Sequence, residues 1–105
     1  MITHKIRAEW ARCHFVSLLG KEFEVKSIAA ENGDFGDLDG FEFNSEIYGG
    51  FLYFWSSAIL EYHLVNYKTG MEVIPITVKG IETEDSTEEI LRPFMNELVS
   101  ITKEQ

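Results

Sequence analysis

Cysteine is almost missing from this chain, and lysine and arginine are missing altogether from its middle third. The single cysteine, Cys13, rules out an internal disulfide and the multi-cysteine frameworks that hold structural zinc. No stretch approaches the roughly 20 apolar residues of a membrane helix. The opening segment MITHKIRAEWARCHFVSLLG carries charge from its first residues and lacks the apolar run and small-residue cleavage site of a secretory signal. These absences lead to the expectation of a cytoplasmic chain without membrane contact. A glycine-rich phosphate loop is missing too: YGGF, residues 48–51, has neither the spacing nor the following lysine.

What is present is the composition of a folded protein. Of 105 residues, 45% are hydrophobic and 13% aromatic, well away from the low-hydrophobicity, high-charge signature of disorder. A chain of this length builds one core, so residues 1–105 are expected to form a single domain. The net charge of −9 is unevenly spread. Residues 1–26 carry five basic and three acidic groups, residues 27–67 none and seven, and residues 68–105 four and eight. Nucleic-acid binding leaves a basic footprint, so this balance argues against direct nucleic-acid contact and against anionic lipid surfaces. A basic protein is the partner class that the charge suits.

Periodicity sets the coarse structure. In DSTEEILRPFMNELVSITKEQ, the side chains Ile90, Leu91, Phe94, Leu98 and Ile101 fall within about 100° of a helical wheel. Ser86 and Glu89 have the spacing of a capping box, and the acids gather at the first turn. Pro93 predicts either a kink or a helix that effectively starts near residue 92. The segment YGGFLYFWSSAILEYHLVNYKTGMEVIPITVKG reads as an antiparallel meander with strands near 49–56, 58–67 and 71–79. Ser56-Ser57 and YKTG supply the turns, with Gly70 as a left-handed residue, and Pro75 points to an edge strand or bulge. Alternation places Phe51, Tyr53 and Trp55 on one face and Leu52 and Phe54 on the other. Residues 4–19 fit a buried helix closed by Gly20, although CHFVSLL fits a strand equally; EFEVKSI fits a short strand or a helical turn ending at Asn32-Gly33. The expected fold is therefore α+β: an antiparallel β-meander packed by an N-terminal and a C-terminal helix.

Signals for catalysis are weak. Cys13 and His14 are adjacent and diverge on any regular element, and Cys13 reads as a small core hydrophobe. His4, His14 and His63 lack metal-ligand spacing. Glu61 and His63 share a strand face and could pair, an arrangement common on surfaces. The EF-hand pattern fails: begun at Asp37 it meets Phe41 and Tyr48 at ligand positions, and begun at Asp34 it meets Gly36 and Ser45. We expect no enzyme activity, no catalytic residue, no metal site and no cofactor.

ENGDFGDLDGFEFNSE, residues 31–46, sets six carboxylates among apolar side chains without a basic residue. Phe35, Leu38, Phe41 and Phe43 are expected to pin it to the core as a loop running into a short strand GFEF, with the acids outward. The candidate partner-binding residues are Asp34, Asp37, Asp39, Glu42, Glu46 and Glu61, with the aromatic residues Tyr53, Trp55, Tyr62 and Tyr67 beside them. Glu82, Glu84, Asp85 and Glu88, followed by Glu89, form a second acidic patch. Aromatic anchors with flanking carboxylates are the composition of an interface.

An acidic, aromatic-rich α+β chain without a catalytic motif, with YGGFLYFWSSAILEYHLVNYKTG followed by PFMNELVSI, resembles the immunity proteins of bacterial toxin–immunity pairs, including those of contact-dependent growth inhibition. That resemblance implies a protein that binds one cognate toxin domain and blocks it. A nuclease toxin is the basic partner that the charge favours, because its nucleic-acid-binding surface must be cationic. The alternative is a small-molecule-binding or enzymatic α+β domain with an aromatic-lined pocket, which a cavity holding His63 or Cys13 would favour.

Overall fold

The computed structural model describes residues 2–104. Helix α1 (His4–Leu19) is followed by strands β1 (Glu24–Gly33), β2 (Gly36–Asn44), β3 (Tyr48–Trp55), β4 (Ile59–Asn66) and β5 (Glu72–Gly80), and then by helix α2 (Thr87–Glu104). The strands form one antiparallel sheet in the order β1-β2-β3-β4-β5. This is the α+β meander with a helix at each end that the periodicity predicts. Among the described residues no helix is long and apolar enough to cross a membrane.

Thr3 caps α1, its hydroxyl accepting from the Ile6 amide at 3.3 Å, and Gly20 ends it in the left-handed region with φ of 79°. The helix buries Ala8, Ala11, Phe15 and Leu19, a stripe at spacings of three and four. Cys13 lies off that stripe and is exposed, which corrects the expectation of a core thiol. A cysteine packs inward only where the helical phase allows it, and here alanines and Phe15 hold the inner positions.

Helix α2 starts at Thr87. Ser86 Oγ accepts from the Glu89 amide at 3.4 Å, and the helix passes through an exposed Pro93 instead of starting near residue 92. Leu91, Phe94, Leu98 and Ile101 are buried. Phe94 is the hub between the layers, with ring centroids 5.7 Å from Phe15, 6.1 Å from Phe43 and 4.7 Å from Tyr62. The sheet contributes Phe41, Phe43, Leu52, Phe54, Leu60, Tyr62 and Leu64 to this core.

Residues 31–46 depart from the expected loop. They form most of a hairpin in which Val25 pairs with Phe43 and Ala30 with Leu38. Positive φ at Asn32 (56°) and Gly36 (97°) turns the chain, and Asp37 Oδ1 accepts from the Asn32 amide at 3.1 Å. Phe41 and Phe43 face inward with Glu42 on the other side, as alternation requires. Leu38 and Phe35 do not reach the helix-side core. Leu38 is buried beside Trp55 on the opposite face, and the Phe35 ring meets Trp55 edge-on at 5.5 Å.

Arg7 ties the ends of the chain together. It is 2% exposed, and its guanidinium donates to the Asp85 carbonyl (2.9 Å), the Thr87 hydroxyl (3.2 Å) and the Glu82 carbonyl (3.1 Å), fastening the β5–α2 connection to α1. Burial lowers its pKa from the ordinary value, against the raising effect of the Asp85 and Glu84 charges.

Strand β5 is an edge. It contains Pro75, and its register against β4 slips between Tyr62 and Leu64 and again between Leu64 and Val65.

Candidate protein-binding face

Both helices lie on one side of the sheet, so its other face has no helical cover. Alternation on β3 brings Phe51, Tyr53 and Trp55 onto this open face, each half-buried. Cross-strand register then places Glu42 and His63 beside Phe51, Gly40 and Glu61 beside Tyr53, and Leu38 and Ile59 beside Trp55.

The rings form a row. Phe51 and Tyr53 stack at 4.3 Å, Trp55 stands perpendicular to Tyr53 at 6.5 Å, and Phe35 closes the row edge-on. Two glycines make room for its ends. A Cβ at Gly33 would lie 2.8 Å from Trp55 Cζ3, so the indole fits only over a glycine there, and at the far end the Tyr67 phenol lies over Gly49. The Tyr67 hydroxyl donates to Asn44 Oδ1.

Three carboxylates flank the row, each held by one oxygen. Glu42 Oε1 accepts from the Tyr53 hydroxyl at 3.3 Å, Glu61 Oε1 from Trp55 Nε1 at 3.1 Å, and Glu72 Oε2 meets His63 Nε2 at 3.0 Å. Burial, then the charge and hydrogen bond of Glu42, then the charge of Glu61 push the Tyr53 phenol from 10.0 up to about 12. Anchored carboxylates beside aromatic rings make this face suited to cations carried on a protein surface.

The sequence-predicted residues separate accordingly. Glu42, Tyr53, Trp55 and Glu61 come together on the open face, with Tyr67, 50% exposed, at its end. Tyr62 does not join them. It pairs with Leu52 on the helix side, is 4% exposed and packs on Phe94, because its neighbours Glu61 and His63 occupy the outward positions of β4. Asp39 is likewise turned toward the helices, where it pairs with Arg12 of α1. Asp34 and Asp37 sit exposed at the β1–β2 turn, and Glu46 is exposed between β2 and β3. Glu82, Glu84, Asp85 and Glu88 lie on the β5–α2 connection and the first turn of α2. There Asp85 Oδ2 accepts from the Glu82 amide at 2.9 Å. Glu61 and His63 share a face but do not pair, since Trp55 takes the first and Glu72 the second.

Phe51, His63 and Glu72 are members of the site that were not among the candidate partner-binding residues of the sequence. Phe51 was recoverable, being two residues from Tyr53 on the same face, whereas Glu72 reaches His63 only through the irregular β4–β5 register.

Among the described residues no three His, Cys, Asp or Glu side chains gather in ligating positions. A cavity of about 120 Å³ between α1 and the sheet is lined by His4, Arg7, Phe54, Trp55, Ile59 and Ile81 among others, and neither His63 nor Cys13 belongs to it. No family model, curated protein or solved structure matches this chain.

Proposed function

We propose that this chain is a binding protein that sequesters a basic protein domain on the open face of its sheet, in the manner of an immunity protein neutralising a cognate toxin. The observation that carries this reading is the aromatic row of Phe51, Tyr53 and Trp55 flanked by Glu42, Glu61 and Glu72 on a face with no helical cover. Half-buried aromatic anchors supply affinity, and the carboxylates steer and orient a cationic partner. A nuclease domain fits because its own nucleic-acid site is cationic, and an acidic protein seated there blocks substrate access. The cavity between α1 and the sheet, about 120 Å³, is below the roughly 300–1,000 Å³ of ordinary ligand pockets, and the larger depressions of about 320–440 Å³ lie open on the surface, which suits contact with a protein.

The test is co-expression with the product of the gene that neighbours this chain's own in the source genome, as the candidate toxin, reading growth and co-purification. Wild type should restore growth and co-purify with the toxin, while Trp55→Ala, with an unchanged circular dichroism spectrum, should do neither. A folded Trp55→Ala variant that protects as well as wild type overturns the reading, as does a wild-type chain that gives no protection.

A further inference from the structure

We propose that the depression between Glu42 and Tyr67 on the open face is an arginine-reading subsite that receives one guanidinium from the basic partner. The inference rests on the reading above and narrows it from a charged surface to contact with one kind of side chain.

The depression has a volume of about 320 Å³ and is lined by Glu42, Asn44, Phe51, His63, Val65 and Tyr67, with Gly50 at its base. Its chemistry divides in the way an arginine side chain divides. Val65 and Phe51 offer an apolar floor for the methylene stem, which long basic side chains bury while the charge stays at the rim. Phe51 and Tyr67 offer ring surface for a cation, a contact that a planar guanidinium makes by stacking.

Glu42 supplies the counter-charge from a fixed position. Its Oε1 is held by the Tyr53 hydroxyl, so the carboxylate loses little freedom when its second oxygen takes a donor. Asn44 Oδ1 already accepts from Tyr67 and so presents an oxygen on the same wall. One carboxylate and one amide oxygen suit a fork of N–H donors better than the single point charge of a lysine. Burial first, and then the charge and hydrogen bond of Glu42, raise the pKa of the adjacent Tyr53 phenol.

Among the described residues no lysine or arginine forms an ion pair with Glu42. Lys26 stands across from Glu42 on β1, exposed, and the two form no ion pair. Lys79, on β5, lies over the Tyr62 ring on the helix side of the sheet. His63, which also lines the depression, is engaged by Glu72.

The experiment is a titration of the isotope-labelled protein with N-acetyl-arginine amide, followed by amide chemical shifts, with the lysine and citrulline analogues in parallel at physiological salt. Arginine should give saturable shifts confined to Gly50, Phe51, His63, Val65 and Tyr67. Lysine should bind about tenfold more weakly, and neutral citrulline should give no saturable shift. Glu42→Gln should weaken the arginine response about tenfold or more, while Glu97→Gln, which removes the same charge from α2, should leave it unchanged. Shifts scattered over every acidic segment, equal responses to arginine and lysine, or a Glu42→Gln titration like wild type would each overturn the subsite. Such a failure together with a Trp55→Ala variant that no longer protects against the toxin removes the subsite alone and leaves the binding face standing. A specific arginine response with full protection by Trp55→Ala removes the toxin-binding reading instead.

Discussion

Arg7 offers the sharpest test of how this fold is held together. The side chain is 2% exposed and makes three charge-assisted hydrogen bonds, to the carbonyls of Glu82 and Asp85 and to the Thr87 hydroxyl. Each such bond contributes about 1.5–3 kcal/mol, and removing the guanidinium also relieves a desolvation cost of several kcal/mol. The packed stem adds a cavity term when it is cut back. Arg7→Ala should therefore lower stability by about 2–4 kcal/mol. Arg7→Lys should recover little of this, because an ammonium keeps the buried charge but cannot address three acceptors in a fork. Urea titration supplies the free energies, and hydrogen exchange at residues 82–87 shows whether the β5–α2 connection loosens first. If both variants unfold within about 0.5 kcal/mol of wild type, Arg7 is not the clasp its geometry indicates.

Other expectations follow from the same contacts. Leu98→Ala, at a fully buried position of α2, should lose about 2–5 kcal/mol, whereas Glu97→Ala on the exposed side should stay within about 0.5 kcal/mol in the same titration. Asp39→Asn breaks the pair with Arg12, whose Nε already lacks a partner, and should cost about 1–3 kcal/mol by thermal or urea unfolding. Absorbance near 295 nm should show a tyrosine component with a midpoint of about 12 that Tyr53→Phe removes. Because the folded chain holds that proton longer than the unfolded one, the Tyr53 contribution to stability should be intact below pH 10 and fall as pH rises toward 12.

The meander was legible because its strands alternate cleanly: Leu52 and Phe54 point one way and Phe51, Tyr53 and Trp55 the other. Helix α2 was legible for the corresponding reason, a narrow apolar stripe with acids at its start. Helix α1 was ambiguous because apolar residues lie on all its sides, with Ile6 exposed at 57% and Trp10 stacked on His14 at its surface. The β1–β2 hairpin was hidden by composition. Asp37, Asp39 and Gly40 are poor strand formers in isolation, and pairing with β1 and β3 overrides that preference. The acidic half of the site was visible in charge alone, but charge does not tell which carboxylate turns inward. Asp39 needed its partner Arg12, 27 positions earlier, to be assigned to the helix side. Arg7 gave no sequence signal, since its acceptors are mostly backbone carbonyls some 75 positions away.

The irregular β5 strand bears on solubility. An open sheet with exposed Val73, Ile76 and Val78 along its rim is a template for strand-by-strand growth. Pro75 withholds one amide from that rim, and the two register slips twist the remaining donors out of the even spacing that an incoming strand needs. At the opposite rim, β1 carries Glu24, Lys26 and Glu31. These features disfavour edge-to-edge polymerisation, and Pro75→Val, which restores a donor in the middle of the apolar rim, should turn that guarded border into a seed for aggregation, read as light scattering in a concentrated solution.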